Sequence, residues 1–80
     1  MDNVSGQMAK LFHERNILLI NFDRTTVTVK DVSRESVELE LGQAGFVSIG
    51  PWSHGLKVDR VEVRRKAHRF DVYTPRRNHV

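Results

Sequence analysis

Helical periodicity is confined to the first sixteen residues of this chain, and most of the remainder alternates with the period of β-strands. The apolar side chains of the first stretch are spaced i, i+4, i+7 and i+8 and so share one face of an α-helix: Val4, Met8, Leu11 and Phe12. We expect this helix to end near Asn16 and to pack on a sheet. The alternative is that its apolar face mediates dimerisation.

Six later segments are apolar or alternate in the manner of strands, namely residues 17–22, 25–32, 37–41, 46–49, 56–65 and 69–74. Residues 33–36 predict a turn that joins the second and third segments into a hairpin. The last hairpin is predicted to turn near residues 66–68, with a bulge near residues 59–60. One helix followed by about five short strands predicts the α+β class, with the N-terminal helix packed on a bent antiparallel sheet or small β-barrel.

The chain has 80 residues and no cysteine. We interpret residues 1–74 as a single α+β domain and residues 75–80, which have no periodicity, as a flexible basic tail. A domain of this size buries only about 60–65 % of its unfolded surface, and no disulfide reinforces it. We therefore expect the protein to complete its core as a homo-oligomer.

The sequence contains no pattern that directs it to a membrane. The first residues lack the basic start and long apolar stretch of a signal peptide. The longest apolar run, residues 17–20, is far shorter than the roughly 20 residues of a membrane span. A cytoplasmic protein without a membrane partner is expected.

Positive charge is concentrated in the last thirty residues. Residues 51–80 have eight Lys/Arg against three Asp/Glu, an excess of +5, whereas residues 1–50 have five against seven, an excess of −2, and the net charge is +3. A basic hairpin interleaved with aromatic residues is typical of nucleic-acid-binding surfaces. The same composition also occurs where charged residues only keep an edge strand soluble.

The predicted contacts to nucleic acid are Arg64, Lys66, Arg69, Tyr73, Arg76 and Arg77. The cationic side chains would neutralise phosphates. Phe70 and Tyr73 have opposite strand parity, so one of them should face outward, and Tyr73 in that position would stack on a base. The sequence therefore predicts a non-catalytic nucleic-acid-binding regulatory or accessory protein, and composition does not distinguish DNA from RNA.

The alternative function is that of a protein-interaction module, such as a small inhibitor or adaptor. Trp52 and His54 lie in the turn-rich segment GPWSHG, where a large aromatic residue can act as a binding anchor. An edge strand would complete that partner-binding surface. Trp52 would instead cover the core if its side chain folds back onto the sheet.

Catalysis is not expected from this sequence. The four histidines, His13, His54, His68 and His79, have no spacing that converges on a metal, and no cysteine assists them. Glu38 and Glu40 would share one strand face as solvated carboxylates that pair across the hairpin. We therefore predict no enzyme activity, no metal and no cofactor.

The segment DVSRESVEL, residues 31–39, resembles the Asp/Asn-x-Ser-x-x-Gly strand turn of PilZ domains. That resemblance implies a β-barrel that binds cyclic di-GMP. The segment departs from the pattern because Ser36 replaces the glycine and no Arg-x-x-x-Arg pair precedes it. No binding residue is carried over from the resemblance.

Overall fold

The computed structural model describes residues 3–51, 56–57 and 59–76. Its elements are α1 (Val4–Glu14), β1 (Leu18–Phe22), β2 (Thr26–Lys30), α2 (Arg34–Gln43), β3 (Phe46–Ser48), β4 (Val61–Arg65) and β5 (His68–Pro75). The strands form one sheet in the order β1-β2-β4-β5-β3, with β2 and β4 parallel and the other pairs antiparallel. The α+β class with an N-terminal helix and about five strands is confirmed, but the sheet is mixed and is not closed into a barrel.

Helix α1 forms as its periodicity predicts. The Asn3 side chain caps it by accepting hydrogen bonds from the Gly6 N–H and the Ser5 hydroxyl, both at 2.8 Å. Met8 and Phe12 are completely buried in the core of their own chain. The face that would have mediated helix-to-helix dimerisation is therefore already covered by the sheet.

Helix α2 replaces the turn and strand predicted for residues 33–41, so that prediction was wrong. The Ser33 hydroxyl caps the helix by accepting a hydrogen bond from the Ser36 N–H at 3.1 Å. Val37 and Leu41 are fully buried one helical turn apart, whereas Leu39 is 59 % exposed. The PilZ-like strand turn is likewise absent here, because its residues form the cap and first turns of this helix.

The core lies between the sheet and both helices, which cover the same face. It combines side chains of α1 and α2 with inward-facing valines of the central strands β2 and β4: Met8, Phe12, Val37, Leu41, Val27, Val29, Val61 and Val63. Strands β2 and β4 are parallel, and α2 and β3 form the crossover connection that a parallel pair requires. This topology brings the ends of β2 and β4 to the same end of the sheet.

The first strand of the last hairpin is shorter than its pattern predicts, and the hairpin is more irregular. Strand β4 begins only at Val61, after a tight turn in which the Arg60 N–H donates to the Lys57 carbonyl oxygen at 2.9 Å. The strand register shifts within β1 and between Val63 and Arg64 of β4. The bulge predicted near residues 59–60 is not one of these shifts. The turn to β5 consists of residues 66–67, with Lys66 at φ 54°.

Strand β5 extends to Pro75, inside the segment predicted as a tail. The Arg76 N–H then donates to the carbonyl oxygen of Gly45 at 2.7 Å, which ties the chain to the start of β3. Residues 77–80 lie outside the described residues. Neither helix in the described ranges is long and apolar enough to cross a membrane.

Candidate functional site

Six cationic residues lie together at one end of the sheet, where β2 and β4 end and where α2 and β5 begin. Val29 of β2 lies beside Arg65 of β4, and Arg65 lies opposite His68 of β5. We call this group the basic tip; its members are Lys30, Arg34, Arg64, Arg65, Lys66 and Arg69. The tip therefore joins cations from both halves of the chain.

The ring of Phe70 orders the tip on the helix-covered side of the sheet. The Arg34 and Arg65 guanidiniums lie 5.7 and 5.8 Å from the ring centroid, within the range of cation–π attraction. Arg34 also donates to the Arg69 carbonyl oxygen, and Arg65 donates to the Val32 carbonyl oxygen, each at 3.2 Å. These contacts hold two guanidiniums at defined positions.

On the opposite side of the sheet, two arginines surround a buried carboxylate. Arg69 Nε is 3.5 Å and Arg64 Nε is 3.9 Å from the oxygens of Glu62. The Glu62 side chain is 6 % exposed, whereas those of Arg64 and Arg69 are 36 % and 57 % exposed. The carboxylate therefore lies beneath the cations that it orients.

The same arrangement occurs between Arg34 and Asp71. Their closest charged atoms are 3.9 Å apart, and the Asp71 side chain is 13 % exposed while that of Arg34 is 49 % exposed. Glu62 and Asp71 therefore lie inside and their guanidinium partners outside, so the surface of the tip keeps an excess of positive charge, with Asp31 and Glu35 as exposed acidic neighbours. Such a surface attracts anions over several ångströms of water.

The prediction that Tyr73 stacks on a base was wrong, because both aromatic residues of β5 are buried. Phe70 is 4 % and Tyr73 is 1 % exposed. The register passes from Val63↔Asp71 to Arg64↔Arg69 and leaves Phe70 as the extra residue of a bulge. The bulge resets the strand's alternation, so residues of opposite parity both reach the core.

The remaining residues predicted from the sequence do not all belong to the tip. Arg64, Lys66 and Arg69 do, but Arg76 follows β5 at its other end, about 24 Å from Arg69 by the strand rise. Arg77, Trp52 and His54 lie outside the described residues. The sequence-based list omitted Lys30, Arg34 and Arg65, although the doublet RR at 64–65 was a visible signal for the last of these.

A second feature is an open groove between α2 and the edge strand β3, with a volume of about 780 Å³. Leu39, Phe46 and Val47 form its apolar walls, with Arg76 at one side. Tyr73 contributes to its floor, and the Tyr73 hydroxyl is buried without a hydrogen-bond partner among the described residues. Burial, reinforced by the negative charges of Asp71 and Glu38, raises the pKa of Tyr73 to about 12.

Tyr73 should therefore titrate late and make the fold sensitive to alkali. Its pKa in the unfolded chain is the ordinary 10.0, so the unfolded state loses its proton first as the pH rises. Stability should be unaffected by this group below pH 10 and should fall as the pH rises through about 12. Tyr73 is the one tyrosine of the chain, so phenolate absorbance during a pH titration reports on it alone.

Tyr73→Phe provides the control for this titration, since it removes the ionisable group and keeps the ring. The variant should lose the phenolate signal and the part of the alkaline destabilisation that the hydroxyl causes. A phenolate signal that appears near pH 10 while circular dichroism still shows the native fold would contradict a buried hydroxyl.

In the described part of the chain, no group of three or more His, Cys, Asp or Glu side chains could hold a metal ion. Glu38 and Glu40 lie on α2 rather than on a strand, and Glu40 pairs with Arg15 of the α1 C-terminus at 3.3 Å. The predicted pairing of these carboxylates across a hairpin was therefore wrong.

Comparisons with protein-family models, with curated proteins and with solved structures found no match to this chain.

Proposed function

We propose that this protein is a non-catalytic nucleic-acid-binding protein with a regulatory or accessory role in the cytoplasm, and that the basic tip contacts the phosphate backbone. The observation that carries the proposal is the layering of charge. Glu62 and Asp71 lie under the guanidiniums of the tip, which leaves the positive groups facing solvent. Neutralised phosphates release their counterions, and this release supplies most of the affinity of such surfaces.

The shape of the tip favours contacts along the backbone over contacts to bases. Strand β4 is flanked by β2 as far as Arg65, so the β4–β5 hairpin does not protrude as a ribbon that could enter a groove. Phe70 and Tyr73 are buried, so neither ring can stack on an unpaired base. We therefore propose duplex binding with little sequence specificity, because a duplex has the higher density of phosphates.

A salt titration tests this proposal. For labelled duplex and single-stranded DNA and RNA, the logarithm of the binding constant should fall linearly with the logarithm of salt concentration. Six phosphate contacts predict a slope of about −5 on duplex DNA and about −4 on a single strand. If the protein binds none of these nucleic acids at about 50 mM salt, where phosphate contacts are strongest, the proposal fails.

A protein-interaction module is the second candidate, and the groove beside β3 favours it. Leu39 is 59 % and Val47 is 38 % exposed, and the groove reaches a buried hydroxyl that lacks a partner among the described residues. Strand β3 lies at the edge of the sheet, where a partner's extended segment could pair with it. Failure of every nucleic acid in the salt titration would make this the better candidate.

A further inference from the structure

One face of the sheet carries neither helix, and four polar side chains line up across it. The buried valines of β2 and β4 point toward the helices, so their alternating neighbours Thr28 and Arg64 point to the helix-free face. Thr28 of β2 lies beside Asn21 of β1 on one side and beside Arg64 of β4 on the other. Arg64 in turn lies opposite Arg69 of β5. We call Asn21, Thr28, Arg64 and Arg69 the crossing row, because they cross four adjacent strands.

The crossing row is accessible and offers a hydrogen-bond donor at every position. Asn21 is exposed and Thr28 is half-buried, and the side chains of the two arginines are 36 % and 57 % exposed. The Asn21 amide and the Thr28 hydroxyl have no hydrogen-bond partner among the described residues. In the next row, further from the basic tip, Glu62 and Val72 are only 5 % and 2 % exposed. The accessible part of this face is therefore the part nearest the tip.

The charge of this face identifies its partner as an anion. Besides the two arginines, Lys30 lies on it, two residues from Thr28 along β2. Among the residues of the five strands, Glu62 is the one carboxylate on this face, and it is buried beneath the arginines. Asp31 lies beyond the end of β2, and Asp23 lies in the β1–β2 turn, where two backbone N–H groups donate to its carboxylate. An anion on the crossing row therefore meets cations and neutral donors.

We propose that one phosphate backbone of the bound nucleic acid crosses the strands along the crossing row, and that Asn21 and Thr28 donate hydrogen bonds to its phosphate oxygens. This inference rests on the proposed nucleic-acid binding, and it adds β1 and two uncharged residues to the site of that binding. Asn and Thr side chains are among the usual phosphate ligands, which position a protein on a duplex without reading its sequence.

The length of the crossing row suits a contact with several phosphates. Three spacings between neighbouring strands, about 4.8 Å each, make the row about 14 Å long. Phosphates of one DNA strand follow each other about every 3.4 Å along the helix axis. One backbone is therefore long enough to pass over every member of the row.

Thr28→Val tests the proposal with a small chemical change, because valine keeps the branched shape of threonine and removes the hydroxyl. Valine also favours strands, so the circular dichroism spectrum should be unchanged. Loss of a hydrogen bond to a charged phosphate should weaken binding to labelled duplex DNA about tenfold. The salt slope should stay at its wild-type value, because a neutral donor releases no counterion.

Thr26→Val is the matched control. Thr26 lies on the same strand and the same face but beside Glu62, one row further from the basic tip. This variant should bind with the wild-type affinity and salt slope. Wild-type affinity of Thr28→Val, or equal losses in the two variants, would overturn the crossing row.

Asn21→Lys tests the β1 end of the row through a gain of binding. A new phosphate contact there should steepen the salt slope by about 0.9 and raise the affinity at about 0.1 M salt roughly eightfold. Val47→Lys adds the same charge to the other edge strand, where Val47 lies opposite Thr74, about 16 Å along β5 from Arg69. Screening at this salt concentration should limit its effect to less than twofold. Equal gains from the two lysines would contradict the proposal.

The wild-type titration distinguishes failure of this inference from failure of the proposed function. If the wild type binds nucleic acid but Thr28→Val and Asn21→Lys behave like their controls, only the crossing row is wrong. If the wild type binds no nucleic acid at about 50 mM salt, where phosphate contacts are strongest, both are wrong.

Discussion

Leu41→Ala should destabilise the protein by about 2–5 kcal/mol, the usual cost of truncating a fully buried leucine. Leu41 is completely buried against the sheet on α2. The net stability of so small a domain is typically about 3–5 kcal/mol, so this one substitution should leave much of the population unfolded at room temperature. Urea unfolding followed by circular dichroism measures the loss.

Leu39→Ala is the matched control, because it makes the same chemical change two residues away. Leu39 is 59 % exposed on the opposite side of α2, and Ala is a good helix former. Its effect should stay within about 0.5 kcal/mol, as for most surface substitutions. If the two variants lose similar stability, residues 37–41 alternate as a strand and α2 is contradicted.

That pair of leucines also explains why α2 was not predicted from the sequence. Val37, Leu39 and Leu41 satisfy the alternation of a strand, but Val37 and Leu41 are equally one helical turn apart. Burial decides between the two patterns, and burial depends on the rest of the sheet. The ends of the segment did carry a helix signal, since Ser33 is a favoured cap and Gly45 adopts φ 97° just after the helix.

Elements with one unambiguous pattern were predicted more successfully. Val4, Met8, Leu11 and Phe12 match only a helix over their length, and α1 has the predicted face. Local irregularities of β5 could not be predicted, because the bulge that buries Phe70 depends on its pairing with β4. A parity argument assumes a regular strand, and it failed for Tyr73 for that reason.

The basic tip was predictable in part. Charge density alone located Arg64, Lys66 and Arg69 near the last turn. Lys30 and Arg34 are far from them in sequence and reach the tip only through the parallel pairing of β2 with β4. Arg76 was grouped with the others because it is near in sequence, although the length of β5 separates it from them. Topology, which sequence patterns specify poorly, therefore determines the membership of the site.

The double variant Lys30→Gln/Lys66→Gln should weaken nucleic-acid binding strongly while leaving the fold intact. Both side chains are exposed, so the substitutions should cost little stability. If each lysine neutralises one phosphate, the salt slope on duplex DNA should become shallower by about 1.8. The affinity at about 0.1 M salt should then fall roughly 60-fold, which a binding titration at that concentration measures.

Lys10→Gln/Lys57→Gln is the control that distinguishes binding at a localised site from a general effect of net charge. It also removes two positive charges, but from exposed positions away from the tip. Lys10 lies on α1, and Lys57 lies before β4, at the other end of that strand from Arg65. Charges further from the ligand than about 10 Å are largely screened at 0.1 M salt, so this variant should keep the wild-type slope and lose only a few-fold in affinity. Equal losses in the two double variants would mean that binding follows the net charge of the whole protein, and the basic tip would then have no specific role.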